Sequence, residues 1–222
     1  LAGYGETKPV SPASVNREWN LLSAVCTQAV KEWGWLKDNP FHGVSRPPAP
    51  KARTRRLTGA EIDALTHALG YTPEGPLGTA TARVGAAMLF ALETAMRAGE
   101  ICWIPEGHAD LERRTVYLPP EVCKNGHERT VPLSTEAVRI LRQVGGCFHL
   151  ETSQLDALFR KGKTRACIED LHFHDTRREA LSRMSKKVDV LTLAKISGHR
   201  DLKILLNTYY ATDMAEVANK LG

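Results

Sequence analysis

The hydrophobic positions near the start of the chain recur at helical spacing. Ser11-Pro12 opens a pattern in which an apolar residue returns every three or four positions, and Gly34 follows it as a candidate C-cap. The apolar residues are Val15, Trp19, Leu22, Cys26, Ala29, Val30 and Trp33. One amphipathic helix cannot bury its apolar stripe alone, so we expect this helix to be the end of a small helical domain.

Helical patterns also dominate the chain after residue 56. Thr58-Gly-Ala-Glu61 is a capping box that predicts the start of a helix. A turn-rich stretch from Gly70 to Gly78 precedes an alanine-rich helix over residues 79–95. Further helices are predicted near residues 135–144, 153–161, 175–185, 189–197, 201–210 and 213–221.

Two short segments between these helices have strand character. Thr115–Leu118 and Glu128–Leu133 alternate and are rich in β-branched residues, and Asn125-Gly126 between them is a tight-turn signal. The pattern as a whole predicts a mainly α fold with a small antiparallel β-sheet, in the α+β class.

The composition is that of an ordinary globular protein. The chain has 222 residues, of which 42% are hydrophobic and 25% charged. It contains no apolar run of membrane-spanning length and no signal-peptide pattern, so we expect a cytoplasmic protein with no membrane partner. The five cysteines are scattered, which favours reduced thiols over disulfides or a zinc site. Because the chain begins with Leu1 rather than Met, we expect it to be a fragment.

The net charge of +5 has its source in one proline-rich segment, residues 46–56. This segment holds five basic residues and no acidic one, while charges balance in the rest of the chain. The five are Arg46, Lys51, Arg53, Arg55 and Arg56. An extended basic segment suits a polyanion such as DNA, although by itself it equally suits a solvated linker. It predicts the domain boundaries: residues 1–45, a linker over 46–56, and a larger domain over 57–222.

Four local patterns carry candidate chemistry. They are Thr94-Ala-Met-Arg97-Ala-Gly-Glu100, Lys124-Asn-Gly, His174-Asp-Thr-Arg177, and Gly198-His199 followed by Tyr209-Tyr210. Each pattern alone is typical of caps, solvated charges or core tyrosines. Their order and spacing together resemble the tyrosine recombinases, the phage integrase family. The resemblance covers roughly residues 53–222 as a catalytic domain, and more weakly residues 11–56 as the end of a DNA-binding core-binding domain.

The resemblance implies a role for each matching residue. Arg97 and Arg177 would clamp the non-bridging oxygens of a DNA phosphate. Lys124, on the hairpin tip, would be the general acid for the leaving 5′ oxygen. His174 would act as base or as a hydrogen-bond donor to the phosphate, and His199 would donate a further hydrogen bond. The positive charge of these residues makes a metal ion unnecessary, so we expect no metal and no cofactor.

The nucleophile is a choice between two tyrosines. The residue nine positions after His199, where many family members have the nucleophile, is Thr208. The sequence that follows favours Tyr209 over Tyr210. Two acidic residues complete the expected site, Glu100 to orient basic groups and Asp175 as the N-cap of the helix that bears Arg177.

The implied function is site-specific DNA recombination through a 3′-phosphotyrosyl intermediate, as in DNA integration and excision. The family implies double-stranded DNA at recombination sites as the substrate, four protomers on two sites, and a Holliday-junction intermediate. In relatives a C-terminal helix docks on a neighbouring protomer, and residues 213–222 are the candidate for it here. The alternatives are a type IB topoisomerase, a non-catalytic DNA-binding module of recombinase descent, and a generic helical interaction domain.

Overall fold

The structure is a computed structural model that describes residues 10–48 and 53–210. The chain divides into two compact units, Leu1–Thr54 and Arg55–Gly222, each described here by itself. The predicted helix over residues 213–221 lies outside the described residues, as does Lys51. No helix within the described residues is long and apolar enough to cross a membrane.

The first unit contains helix α1, Pro12–Lys31. Ser11 is its N-cap, and the Ser11 side chain accepts a hydrogen bond from the Ser14 amide. Pro12 begins the helix, where its missing N–H is not needed. The helix ends with Glu32 as its C-cap, so the prediction of Gly34 in that role is wrong. Gly34 has a φ of +63° and supplies a left-handed turn shortly after the helix.

The loop after α1 folds back onto the helix. Asn39 is buried, and its side-chain amide donates to Ser23 and Thr27 of α1. Phe41 packs edge-on against Trp19, with ring centroids 5.0 Å apart. Leu21, Leu22 and Val25 remain exposed on α1. The helix therefore keeps an apolar face that the described residues do not bury.

The second unit is built around helix α3, Ala80–Thr94, which is buried on nearly all sides. It packs against α5, α6 and α7. The other helices of this unit are α2 (Gly59–Ala68), α4 (Ala98–Trp103), α5 (Thr135–Gln143), α6 (Thr152–Arg165), α7 (His174–Met184), α8 (Val190–Ser197) and α9 (Leu202–Tyr209). All but α4 correspond to helices that the periodicity predicts. The predicted capping box of Thr58 and Glu61 is present at the start of α2.

The two predicted strands form the antiparallel sheet of the second unit. Strand β1 is Thr115–Leu118 and strand β2 is Arg129–Pro132, with Val116 paired to Val131. The mainly helical fold with a small sheet is thus as predicted. The predicted turn is also present, with Gly126 at a φ of +66°, but it lies within a longer connection over residues 119–128.

Two groups of buried apolar residues hold the second unit together. The larger includes Leu65, Met88, Phe90 and Phe148, and joins α2, α3 and α5 to the sheet. The smaller lies where α7, α8 and α9 meet, and consists of Ala95, Ala180, Leu181, Leu193, Ala194 and Leu205. Both tyrosines at the end of α9 pack against this smaller group, which fixes their position relative to α7 and α8.

Candidate active site

The end of α3 positions the first arginine. Ala95 takes a left-handed conformation with a φ of +55°, which stops α3 at Thr94. Arg97 then becomes the N-cap of α4, and its amide donates to Oε2 of Glu100 at 2.7 Å. The guanidinium Nη1 donates to the other carboxylate oxygen at 2.8 Å. Glu100 therefore holds both the backbone and the side chain of Arg97.

The second arginine, Arg177, projects from the first turns of α7 and is 3% exposed. Its Nη1 donates to the carbonyl of Ala95, and its Nη2 donates to the carbonyl of Ser197 at 2.6 Å. Desolvation, followed by the charge of nearby Arg97, lowers the pKa of Arg177 to about 9. The guanidinium remains protonated at neutral pH, and two like charges meet where an anion would relieve their repulsion.

Asp175 does not cap α7, so this prediction is wrong. The helix begins at His174, and Phe173 before it already has helical backbone angles. Asp175 lies inside the first turn, where its carboxylate accepts a hydrogen bond from the amide of His172 at 2.9 Å. A carboxylate in the first turn still stabilises the helix through the helix dipole.

The two predicted histidines lie beside these arginines. His174 is solvent accessible at the start of α7, and its pKa is lowered by desolvation and by the charge of Arg177. His199 follows Gly198, the left-handed cap that ends α8. Desolvation and the charges of Arg177 and Arg97 lower the pKa of His199 to about 4. At neutral pH the imidazole of His199 is therefore uncharged.

The two tyrosines differ in what surrounds their hydroxyls. Tyr210 donates its hydroxyl proton to the carbonyl of Val188 at 2.6 Å. Burial raises the pKa of Tyr209, while the charges of Arg178, Arg177 and Arg56 lower it in part. Tyr209 therefore lies within the electrostatic reach of the site arginines, whereas the hydroxyl of Tyr210 is occupied by a main-chain contact.

Lys124 is exposed in the connection between β1 and β2. The side-chain amide of Asn125, the next residue, donates to the carbonyl of Gly198 at 3.0 Å. This contact brings the connection next to the segment that carries His199. The predicted general acid thus belongs to a loop that contacts the site through the hydrogen bond of Asn125.

Arg129 is a component of the site to which the sequence motifs assigned no role. Its Nη2 forms an ion pair with Oε2 of Glu100 at 2.6 Å, and both side chains are almost fully buried. Its Nε donates to the carbonyl of Ile196 at 2.9 Å, and its Nη1 lies 3.3 Å from Sγ of Cys123. The strand pattern could have indicated this burial, because Arg129 and the buried Val131 are two residues apart and lie on the same face of β2.

The basic segment is only partly described. Arg46 donates to Oδ1 of Asn20 at 2.8 Å within the first unit. Arg55 forms an ion pair with Glu61, and Arg56 pairs with Glu179 of α7 at 2.8 Å. Arg53 also has interactions with neighbouring groups. Arg55 and Arg56 thus have intramolecular partners, and their expected contacts with DNA remain a prediction.

A cavity of about 280 Å³ opens beside the arginines. Arg97, His174 and Arg177 contribute to its wall, together with Thr152 and Asp156 of α6. Within residues 10–48 and 53–210, histidine, cysteine and acidic side chains form no group of three that could hold a metal ion. The cavity wall thus carries the cationic side chains of Arg97 and Arg177 together with the acidic side chain of Asp156.

The second unit is thus a mainly helical fold with a small sheet. Its charged groups link Arg97, Arg177, His174 and His199 electrostatically, and Tyr209 lies within the influence of Arg177. The phage integrase family model matches residues 55–216, so the chain belongs to the phage integrase family. This match spans most of the second unit.

Relatives of the chain carry consistent names. A Haemophilus influenzae protein named as an integrase/recombinase is 49% identical over 219 residues, covering 96% of this chain and 71% of the relative. A second H. influenzae protein of the same name is 48% identical, and the chain spans 59% of its length. The shufflon-specific DNA recombinase of Escherichia coli is 38% identical over 89% of this chain and 51% of the relative.

Solved structures share the fold. The Tn1549 transposon integrase in complex with transposon right end DNA matches 96% of this chain and 79% of that chain, with a TM-score of 0.70 at 15% identity. A lambda integrase dimer bound to a COC′ core site matches 89% of this chain and 59% of that chain, with a TM-score of 0.70 at 18% identity.

Proposed function

We propose that this chain is the DNA-cleaving part of a tyrosine-type site-specific recombinase, which cleaves and rejoins DNA through a 3′-phosphotyrosyl intermediate. The observation that carries the proposal is the placement of Tyr209 within reach of the charge of Arg177, which itself lies beside Arg97. The names of the relatives and the DNA in the solved complexes support double-stranded DNA as the substrate.

The two arginines supply transition-state stabilisation. In-line attack on a phosphodiester increases the negative charge on the non-bridging oxygens, and Arg97 and Arg177 would donate to those oxygens. Loss of one such donor costs about 10²–10³ in rate in comparable oxyanion sites. Because Ala95 and Ser197 hold Arg177 and Glu100 holds Arg97, neither guanidinium needs to reorganise during the reaction.

The proton transfers follow from the state of the remaining groups. Tyr209 Oη forms a bond to phosphorus and releases its proton to His174, whose lowered pKa leaves it neutral and able to accept. The bond from phosphorus to the 5′ oxygen breaks, and Lys124 gives that oxygen a proton. A 5′-hydroxyl of the partner strand then reverses these steps, so the phosphodiester is restored without an external energy source.

Assembly follows the same proposal. Residues 1–45 act as the end of a core-binding domain, and the linker over 46–56, with the charges of Arg46, Lys51, Arg53, Arg55 and Arg56, binds the DNA backbone. Two DNA sites hold four protomers, with exchange through a Holliday junction in the cytoplasm. Phosphate contacts of this kind predict an affinity that falls steeply as salt rises.

Covalent trapping tests the proposed function. A nicked DNA suicide substrate, drawn from a pool of candidate recombination sites, is incubated with the wild type, Tyr209→Phe and Tyr210→Phe. We expect a denaturation-resistant protein–DNA adduct that Tyr209→Phe abolishes and Tyr210→Phe retains. Loss in Tyr210→Phe alone would transfer the nucleophilic role to that residue. Binding without any adduct from the wild type would refute the cleavage chemistry for this chain.

A supercoiled plasmid without a recombination site serves as the control for topoisomerase activity. A site-specific recombinase leaves its topology unchanged, whereas a type IB topoisomerase relaxes it. Relaxation that depends on Tyr209 would therefore support tyrosine-mediated DNA cleavage but assign the chain to the type IB topoisomerases.

A further inference from the structure

Ser197 is a fully buried residue at the end of α8 that contacts two of the proposed phosphate ligands. Its carbonyl accepts the hydrogen bond from Nη2 of Arg177 at 2.6 Å. Its Oγ lies 2.7 Å from Nδ1 of His199 and 2.7 Å from the carbonyl oxygen of Leu193, one helical turn earlier. The hydroxyl is thus held between a ring nitrogen and a main-chain oxygen.

The number of protons available decides what these contacts are. A serine hydroxyl has one proton to donate and lone pairs to accept with, while a carbonyl oxygen can only accept. The proton of Ser197 therefore points at Leu193, and the contact with His199 is a hydrogen bond only if Nδ1 carries a proton. Only this arrangement makes both 2.7 Å contacts hydrogen bonds.

We propose that Ser197 is a positioning residue that holds His199 with its proton on Nδ1, so that Nε2 meets the DNA phosphate unprotonated and donates to it only after taking up a proton. The hydroxyl acts through His199 and does not touch the reacting atoms. The inference rests on the proposed function in one respect, the presence of a phosphate between the arginines. The proton that Nε2 takes up comes from solvent and returns there when the DNA leaves.

The charges around His199 decide when this proton is taken up. The groups that face it are Arg177 and His174 of α7, Arg97 before α4, and Arg129 of β2. In the protein alone, desolvation and these positive charges hold the pKa of His199 at about 4, so Nε2 is unprotonated at neutral pH. A phosphodiester between the arginines reduces the positive potential at His199 and so favours the second proton.

The tautomer can be measured without DNA. The protein contains eight histidines, and comparison of ¹⁵N-labelled wild type with His199→Gln assigns the ring nitrogens of His199. We expect a protonated Nδ1 and an unprotonated Nε2 in the wild type at pH 7, and a shift towards the other tautomer in Ser197→Ala. An unprotonated Nδ1 in the wild type, or an unchanged tautomer in Ser197→Ala, would overturn the proposal.

Thr66→Ala is the matched control for this comparison. Thr66 of α2 also donates its hydroxyl to the carbonyl one turn earlier, Ile62, at 2.7 Å, but among the described residues this hydroxyl forms no hydrogen bond with a histidine ring. We expect Thr66→Ala to leave the His199 resonances unchanged. A shift as large as that of Ser197→Ala would mean that the His199 resonances respond to any loss of a helix hydroxyl. The shift in Ser197→Ala would then not support a specific role for Ser197.

The pH dependence of adduct formation tests the consequence for catalysis. The wild-type rate should fall tenfold per pH unit once the pH exceeds the pKa of His199 in the DNA complex. Ser197→Ala should lose this alkaline limb and be slower by about 10-fold near neutral pH, by analogy with the loss of groups that orient other ligands. Parallel pH profiles would refute the proposal. If the wild type forms no adduct, the cleavage function fails, while the tautomer measurement still decides the role of Ser197.

Discussion

The substitution Glu100→Gln removes the carboxylate in α4 that pairs with both Arg97 and Arg129. Glu100 is 2% exposed and accepts hydrogen bonds from the amide and Nη1 of Arg97 and from Nη2 of Arg129. Glutamine has nearly the same shape but no charge, and its NH2 group donates hydrogen bonds where a carboxylate oxygen would accept them. The variant therefore leaves the buried guanidinium of Arg129 without a counter-charge.

The magnitude follows from burial. Removing one partner of a buried ion pair costs about 3–5 kcal/mol of unfolding free energy. A protein of this size loses roughly 2–4 °C of Tm per kcal/mol, so thermal unfolding followed by circular dichroism should show a decrease of about 6–20 °C. The control is Glu136→Gln, whose partner Arg139 is 36% exposed and whose loss should cost at most about 1 kcal/mol. Equal effects of the two substitutions would refute the reasoning.

The effect of Glu100→Gln should also depend on pH. Burial by itself would raise the pKa of Glu100, but the hydrogen bond and charge of Arg129 outweigh it and the pKa is lowered. A group with a lowered folded-state pKa stabilises the protein above its unfolded pKa, about 4.3 for glutamate, and the stabilisation is lost as the pH falls through the folded value. The stability difference between wild type and Glu100→Gln should therefore shrink in acid. A difference that grows below pH 4 would contradict the assignment.

Three further predictions concern other parts of the second unit. Arg177→Lys should slow adduct formation by about 10²-fold or more, because an ammonium cannot reach two carbonyls and the phosphate together; an unchanged rate would remove Arg177 from the site. Gly85→Ala should lower the free energy of unfolding, measured in urea, by about 1–3 kcal/mol, because the new Cβ would lie 2.7 Å from Cβ of Tyr71. The control Gly59→Ala places its Cβ in open space and should not destabilise the protein. Arg56→Ala should reduce the slope of log affinity against log salt by about 1 if this side chain binds phosphate, and an identical slope would show that it does not.

The sequence predicts most elements of the fold because their apolar faces repeat over several turns. Helix α4 escaped prediction because Ala98–Trp103 is too short to show a period. The Asp175 cap failed because Asp is a common N-cap residue, but the backbone of Phe173 is already helical and moves the start of α7 earlier. The prediction for Gly34 failed because α1 ends at Lys31 with Glu32 as its C-cap, two residues before the glycine.

The candidate site is predicted as a set of residues but not as a set of contacts. Arg97, His174, Arg177 and His199 each lie in a short local motif, so their identities can be read from the sequence. Their partners are brought together by the packing of α3, α7 and α8, which no local pattern encodes. The carbonyl of Ala95 and the hydroxyl of Ser197 became part of the site only through that packing.

The two carbonyls that hold Arg177 have a consequence for how the site can vary. A carboxylate in their place would fix the guanidinium equally well but would cancel most of its charge, whereas main-chain oxygens orient it and leave the cation available to the DNA. Main-chain oxygens are also present whatever side chain occupies positions 95 and 197. The orientation of the Arg177 guanidinium is therefore set by the backbone at the ends of α3 and α8. It can persist while the side chains around it change.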